Sequence, residues 1–226
     1  MNPTCRRSIS FQYNSSWESN MDKIVKYFKN PGPRNTEETL MAVSKRIDEL
    51  NIKHIVVATR VGKTALRVGE FFKDSGLNIV AISHQYGYLR PGRWLIDDGI
   101  QKKLQELGVR LCTGTMPLTT PGRLYRSDWK PGSKKPKYHI YNTAFPFDII
   151  ADTLRMFSQG MKVCVEIVVM AADMGLIPVE EEVISIGGTR TGADTAVVIQ
   201  PAHIHEIYDL RILEIIAKPR LTHISR

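Results

Sequence analysis

The sequence predicts an α/β fold, a three-layer sandwich with a mainly parallel sheet between helices. Three observations predict it. Short apolar runs at 55–58, 77–82 and 109–112 each stop at a polar turn, as buried parallel strands do. Segments with helical apolar spacing lie between those runs. Gly76 and Gly108 stand where the intervening helices must stop, since glycine takes a left-handed cap at little cost. Strand, turn and helix therefore alternate three times.

In chain order, residues 1–22 are polar with scattered aromatics and no usable period, and are read as an N-terminal tail; residues 23–226 form the α/β domain. Ile24, Val25, Tyr27 and Phe28 make a short candidate strand, closed by Asn30-Pro31-Gly32-Pro33. Asn35 followed by Glu38 has the spacing of a capping box. Leu40, Val43, Ile47 and Leu50 then form the apolar stripe of a helix that leads into the strand at 54–58. Ala65, Val68, Phe71 and Phe72 mark the next helix, expected to end near Ser75-Gly76. A third helix is expected over Asp97–Leu107.

Residues 117–146 break this rhythm. Pro117, Pro121, Pro131, Pro136 and Pro146 predict an irregular excursion, a lid or a subunit surface by its length. Helix resumes over Asp148–Phe157, and Gly160 is expected to separate it from Met161–Met174. The β-branched run in that last segment favours strand, but its length favours one buried helix. Strands are expected at Val183–Ile186, Ala196–Ile199 and Leu210–Ala217.

Composition narrows the function classes. The 226 residues are 42% hydrophobic and 24% charged, as in ordinary globular proteins. The net charge of +8 is scattered, partly over Lys130, Lys134, Lys135 and Lys137, with little aromatic interleaving. That pattern speaks against a nucleic-acid surface, and a phosphorylated small molecule accounts for local positive charge equally well. Cys5, Cys112 and Cys164 are too few and scattered for a disulfide framework or zinc motif. No apolar run reaches the roughly 20 residues that span a bilayer, and no secretory signal opens the chain. The cytoplasm is the expected compartment, with no membrane partner, and homo-oligomerisation is left open.

The candidate site is a pair of turns. Thr59-Arg60-Val61-Gly62-Lys63-Thr64 follows a strand and opens a helix, where backbone N–H groups and the helix dipole favour an anion. Gly62 is expected to let those N–H groups approach the ligand. The segment is not a P-loop, because Val57 stands where that motif needs glycine. The second turn is Gly187-Gly188-Thr189-Arg190-Thr191-Gly192-Ala193-Asp194, whose glycine spacing is not the dinucleotide fingerprint. A wide hairpin loop accounts for it as well as an anion site does. In an open α/β sheet both turns fall at the carboxyl edge, where ligands bind. His84 and Gln85 after the second strand, and Thr113, Gly114 and Thr115 after the third, complete the candidate set.

Chemistry beyond binding is thin. His84 reads as a turn histidine more readily than a catalytic one. Glu166, flanked by apolar residues, is either a buried acid with a raised pKa or a helix residue reaching a surface charge or backbone donor. Asp173 and Asp194 are expected to fix backbone N–H groups. His203 and His205 lack a third metal ligand. No nucleophile–base pair declares an enzyme.

These residues resemble the carboxyl-terminal α/β domain of pyruvate kinase. Thr59 through Ala65 is similar to that domain's Thr-x-Ser-Gly-x-Ser/Thr-Ala turn, which clamps a phosphate of the regulatory sugar bisphosphate. Gly187 through Thr195 stands where the enzyme has its second effector loop. Small stand-alone archaeal and bacterial proteins built from this domain are more similar still. They share Phe28-x-Asn30-Pro31-Gly32, Asn35-Thr36-Glu37-Glu38-Thr39-Leu40, Val165-Glu166-Ile167, Ala171-Ala172-Asp173-x-Gly175-Leu176-Ile177-Pro178 and Gly192-Ala193-Asp194-Thr195-Ala196. The resemblance covers roughly residues 24–219. Val61 replaces the turn's usual serine, and the barrel carrying the kinase's metal and substrate site is absent, so kinase activity is not implied. The stand-alone relatives resemble flavin mononucleotide (FMN) binders, which would place the ribityl phosphate at 59–64. A sensor of a phosphorylated metabolite is the second reading, and a basic nucleic-acid-associated protein the third.

Overall fold

The computed structural model describes residues 22–120 and 146–221. The expected tail apart from Asp22, the lysine-rich loop and most of the 117–146 excursion lie outside them. Seven strands form one sheet in the order β1-β7-β6-β5-β2-β3-β4. They are β1 (Lys26–Phe28), β2 (His54–Ala58), β3 (Asn78–His84), β4 (Arg110–Gly114), β5 (Val183–Gly187), β6 (Thr195–Gln200) and β7 (Arg211–Pro219). Every neighbouring pair is parallel except the two that β6 makes with β5 and β7. The helices are α1 (Thr36–Leu50), α2 (Lys63–Phe71), α3 (Asp98–Glu106), α4 (Pro146–Phe157) and α5 (Gln159–Asp173).

Side-chain alternation along the strands divides the interior in two. Ile55, Val57, Ile79, Ala81, Ile184 and Ile186 face one way, onto Leu40 and Val43 of α1, Val68 of α2 and Leu104 of α3. Val56, Val80, Ile82, Val183 and Val197 face the other way, onto α5 and, beyond it, Ala151 of α4. Both faces of the central strands are covered, which is why they read as unbroken apolar runs. The ambiguous segment is one helix, α5, whose residues 164–172 are all buried. Its β-branched run suits a helix enclosed on all sides, where packing outweighs propensity.

Three local expectations are corrected. The Asn35–Glu38 capping box does not form. Residues Pro33–Asn35 make a 3-10 turn, Asn35 Nδ2 donates to the Asn30 carbonyl (2.8 Å), and the Glu38 carboxylate pairs with Lys26 (2.5 Å). Helix α2 stops at Phe71, before Ser75-Gly76, because Ser75 N and Oγ both donate to the Phe72 carbonyl and close a turn there. Gly160 does not divide α4 from α5. Ser158 does, as N-cap of α5, its Oγ accepting from Met161 N (2.9 Å). Gly160 sits inside the first turn of α5, where a Cβ would lie 2.2 Å from Thr195 Oγ1, so glycine lets α5 approach the sheet.

Candidate functional site

Strands β2 and β5 are parallel neighbours, but their connections leave in opposite directions, β2 to β3 and β5 to β6. Their carboxyl ends therefore open a crevice at the sheet edge. A cleft of about 1100 Å³ occupies it. Thr59, Arg60, Val61, Lys63 and Thr64 line one side and Gly188, Thr189, Arg190, Thr191 and Gly192 another, so both predicted turns meet at one cavity. His84 lines it too, with its ring tilted against Tyr88 at 4.2 Å between centroids.

The first turn is built locally. Thr59 N donates to the Ile82 carbonyl (2.9 Å), extending the β2–β3 ladder by one residue. The chain then turns at Gly62, with φ +85°, and α2 begins at Lys63 with its first N–H groups unpaired by the helix. The role expected for Gly62 is corrected. A Cβ there would lie 2.2 Å from Ile100 Cγ2 of α3, so the missing side chain makes room for the protein's own packing. Gly62 does not line the cleft.

The second turn is held from a distance. The Asp194 carboxylate is fully buried beneath it, and Oδ2 accepts from Thr189 N (3.1 Å) and Gly32 N (2.9 Å) while Oδ1 accepts from Thr195 Oγ1 (2.9 Å). Ala193 N donates to Thr36 Oγ1 (3.0 Å), and Gly192 lies so near Pro33 that a Cβ would be 2.5 Å from its Cα. Anchored in this way, the loop carries a three-residue turn in which Thr191 N donates to the Thr189 carbonyl (2.9 Å). Arg190 is its centre, at φ +69°, a conformation costing an L-residue roughly 1–2 kcal/mol. Asp173, expected to fix a backbone N–H as Asp194 does, accepts from Ile204 N (3.1 Å).

The cleft end between the two turns is electropositive. Arg60, Lys63 and Arg190 are exposed and make no ion pair among the described residues. Arg67 is engaged instead, donating through Nε and Nη2 to Glu37 at 2.7 Å each. Those bonds hold the Glu37 carboxyl below the usual carboxylate range and raise Arg67. Among the described residues Thr59 Oγ1, Gln85 Oε1, Thr120 Oγ1 and Thr189 Oγ1 are buried without a hydrogen-bond partner, and the first and last belong to residues that line the cleft. Thr59 is 5% exposed and Thr189 8% exposed, and each Oγ1 is buried with no hydrogen-bond partner among the described residues. Such orphans are rare in folded proteins and call for an account.

Other candidates are placed elsewhere. Gly187, Ala193 and Asp194 support the second turn from behind without lining the cleft. Thr113 and Gly114 are inside β4, Thr113 Oγ1 donating to the His84 carbonyl. Gln85 and Thr115 do not line the cleft either. His203 stacks on His205 and lies 3.2 Å from Asp173 Oδ1, and among the described residues no cluster suited to a metal is gathered. No helix among them is long and apolar enough to cross a membrane.

Sequence reasoning missed Pro33, Thr36 and Glu37 at the cleft, and Gln159 and Lys162. Lys162 had a legible signal, a lysine four residues before Glu166 on an otherwise apolar helix. Glu166 is neither surface-reaching nor alone. It is 2% exposed, its Oε2 accepts from Lys162 Nζ (2.7 Å), and its Oε1 accepts from Thr119 Oγ1 (2.7 Å).

Fold and cleft define a doubly wound α/β domain with a crevice at the carboxyl ends of its parallel strands. The chain belongs to the pyruvate kinase alpha/beta domain family, whose model matches residues 37–199. It is similar to the pyruvate kinase of Cryptosporidium parvum solved in complex with ADP, at 12% identity and a TM-score of 0.31. That match covers 72% of this chain and 22% of the enzyme's.

Proposed function

We propose that the cleft binds a phosphate-bearing small molecule, flavin mononucleotide in the first instance, and that the chain carries no pyruvate kinase activity. The observation that carries this reading is a pair of buried hydroxyls without a partner among the described residues, Thr59 Oγ1 and Thr189 Oγ1, on the two turns flanking one cleft. A buried hydroxyl without a partner costs about 1–3 kcal/mol, and a ligand oxygen supplies the missing acceptor. Arg60, Lys63 and Arg190 add charge and make no ion pair among the described residues, and the start of α2 adds backbone N–H groups. Together they suit a phosphate.

The residues fit the rest of FMN as well. Beyond the turns the cleft is walled by Ile82, Tyr88, Leu89, Met116 and Met170, which suit an aromatic ring. The cofactor's ring would supply electron transfer, while the residues here bind and orient it.

The test begins with the absorbance spectrum of purified protein and mass spectrometry of anything released on denaturation. Apo-protein is then titrated with FMN. Hydrogen bonds to charged groups are worth about 1.5–3 kcal/mol, so Lys63→Ala should weaken binding roughly ten- to a hundredfold. Lys102→Ala on α3 changes net charge equally, away from the cleft, and should leave affinity unchanged. Equal losses from the two would mean a diffuse electrostatic effect and remove the site at 59–64.

A further inference from the structure

We propose that Glu37 is a selectivity residue: it withholds Arg67 from the anion end of the cleft, and so turns away ligands that carry a diphosphate group. This rests on the reading that the cleft binds a phosphate. It adds which phosphate-bearing molecules are refused, nucleoside diphosphates and dinucleotides among them, and the residue that refuses them.

At the anion end Arg60, Lys63, Arg67 and Arg190 all line the cleft. Lys63 and Arg67 stand one helical turn apart on α2 and share a face. Arg67 is the member held elsewhere. Its Nε and Nη2 each donate to one oxygen of Glu37 at 2.7 Å, its Nη1 lies 3.7 Å from Glu70 Oε2, and its guanidinium sits over the Phe71 ring, 5.6 Å from the centroid. Glu37 belongs to the wall of the second turn. It follows Thr36, whose Oγ1 accepts from Ala193 N (3.0 Å), and it lies in the first turn of α1, where the helix dipole favours a carboxylate. The pair therefore joins the wall of the second turn to the wall made by α2, and both its members line the cleft.

Stability is a poor account of this pair. The Glu37 side chain is 54% exposed and that of Arg67 40%, and ion pairs exposed to that degree contribute little. Beside a site that gathers positive charge, a carboxylate weakens the hold on every anion it faces. Here it also fills the fork of an arginine, the side chain best shaped to grip phosphate oxygens in pairs. With Arg67 so occupied, Arg60, Lys63 and Arg190 remain for the ligand, a set suited to one phosphate. A diphosphate brings more charge and more oxygens to the same place. It must either face Glu37 or break both of that residue's bonds to Arg67. A neutral extension from the phosphate meets no such barrier, and the lone pairs that Arg67 leaves on Glu37 can accept from its hydroxyls.

The test uses the full chain with inorganic phosphate and pyrophosphate as probes, read as the rise in melting temperature with ligand concentration. Wild type should bind pyrophosphate no more tightly than phosphate. Glu37→Gln should raise affinity for pyrophosphate roughly tenfold and for phosphate by less, because the released Arg67 adds a charged donor. Adding Arg67→Gln should cancel that gain, a coupling that the double-mutant cycle reads directly. Glu38→Gln removes the same charge one residue along, from a carboxylate that pairs with Lys26 and does not line the cleft, and should change neither constant. Without ligand every variant should melt close to wild type, since the substituted side chains are exposed. The proposal is overturned if wild type prefers pyrophosphate, if Glu37→Gln leaves the ratio of the two constants unchanged, if the double variant keeps the gain, or if Glu38→Gln moves the ratio as far. Any of these with phosphate still bound overturns this inference alone. Failure of wild type to bind either probe overturns the phosphate site itself and this inference with it.

Discussion

The turn after β2 and the turn after β5 do similar things by different means. Each follows one of two paired parallel strands, buries a threonine hydroxyl with no partner among the described residues, and sets at the same cleft an arginine that makes no ion pair among them. The first is short and local: strand, a left-handed glycine, helix. Its backbone path is set by neighbouring residues, with Ile82 and Ile100 packed against it. The second is a loop between antiparallel strands, closed locally by Thr189, Thr191 and Asp194 and fixed in place from far along the chain. A buried carboxylate, Asp194, ties it to Gly32, 162 residues earlier in the chain. Similar site chemistry therefore depends mainly on local backbone preference in one turn, and in the other on a local turn held by long-range hydrogen bonds.

Substitutions can break or sharpen that contrast. The largest effect is expected from Asp194→Ala, which strips three hydrogen bonds from a buried carboxylate and leaves the N–H groups of Gly32 and Thr189 unpaired. The loss should be at least about 3 kcal/mol, seen as a lower urea midpoint, with ligand binding lost even in the fraction still folded. If binding survives intact, the loop does not need its anchor.

Next is Gly62→Val. A side chain at φ +85° that also meets Ile100 should cost about 2–4 kcal/mol in stability. Ile100→Ala in the same chain should recover part of it by making room. No recovery would return Gly62 to the role of admitting the ligand.

Smallest are Thr59→Val and Thr189→Val. Each removes a buried hydroxyl that has no partner among the described residues, so stability should hold or rise by up to about 1 kcal/mol. Affinity for FMN or phosphate should fall several-fold in both. A stability loss above about 1 kcal/mol would reveal an internal partner for that hydroxyl and weaken the case for a ligand there.

Much was legible because it depends on short-range pattern. The three apolar runs are β2, β3 and β4, and the helix stripes fall on the face that packs. Turn 59–64 was recognisable from its residue types alone. The capping box at Asn35 was misread because a tertiary constraint outcompeted a local one: Asn35 is pulled towards Asn30, and Glu38 towards Lys26. Gly62 was assigned a role towards ligand, since nothing near it in sequence announces Ile100.

By itself the sequence determined the α/β class, the strands and helices with small errors at their ends, and two turns rich in anion-binding groups. Periodicity and turn chemistry act over a few residues, so they are written where they operate. Only the tertiary structure decided that β5 lies beside β2, that both turns share one cleft, and that Gly32 meets Asp194. It also decided that Lys162 and Glu166 form a buried pair in the cleft wall, where the sequence offered Glu166 as a lone acid. These are outcomes of strand order and helix placement, set by which apolar faces bury one another across the whole chain. No local window of residues contains that competition.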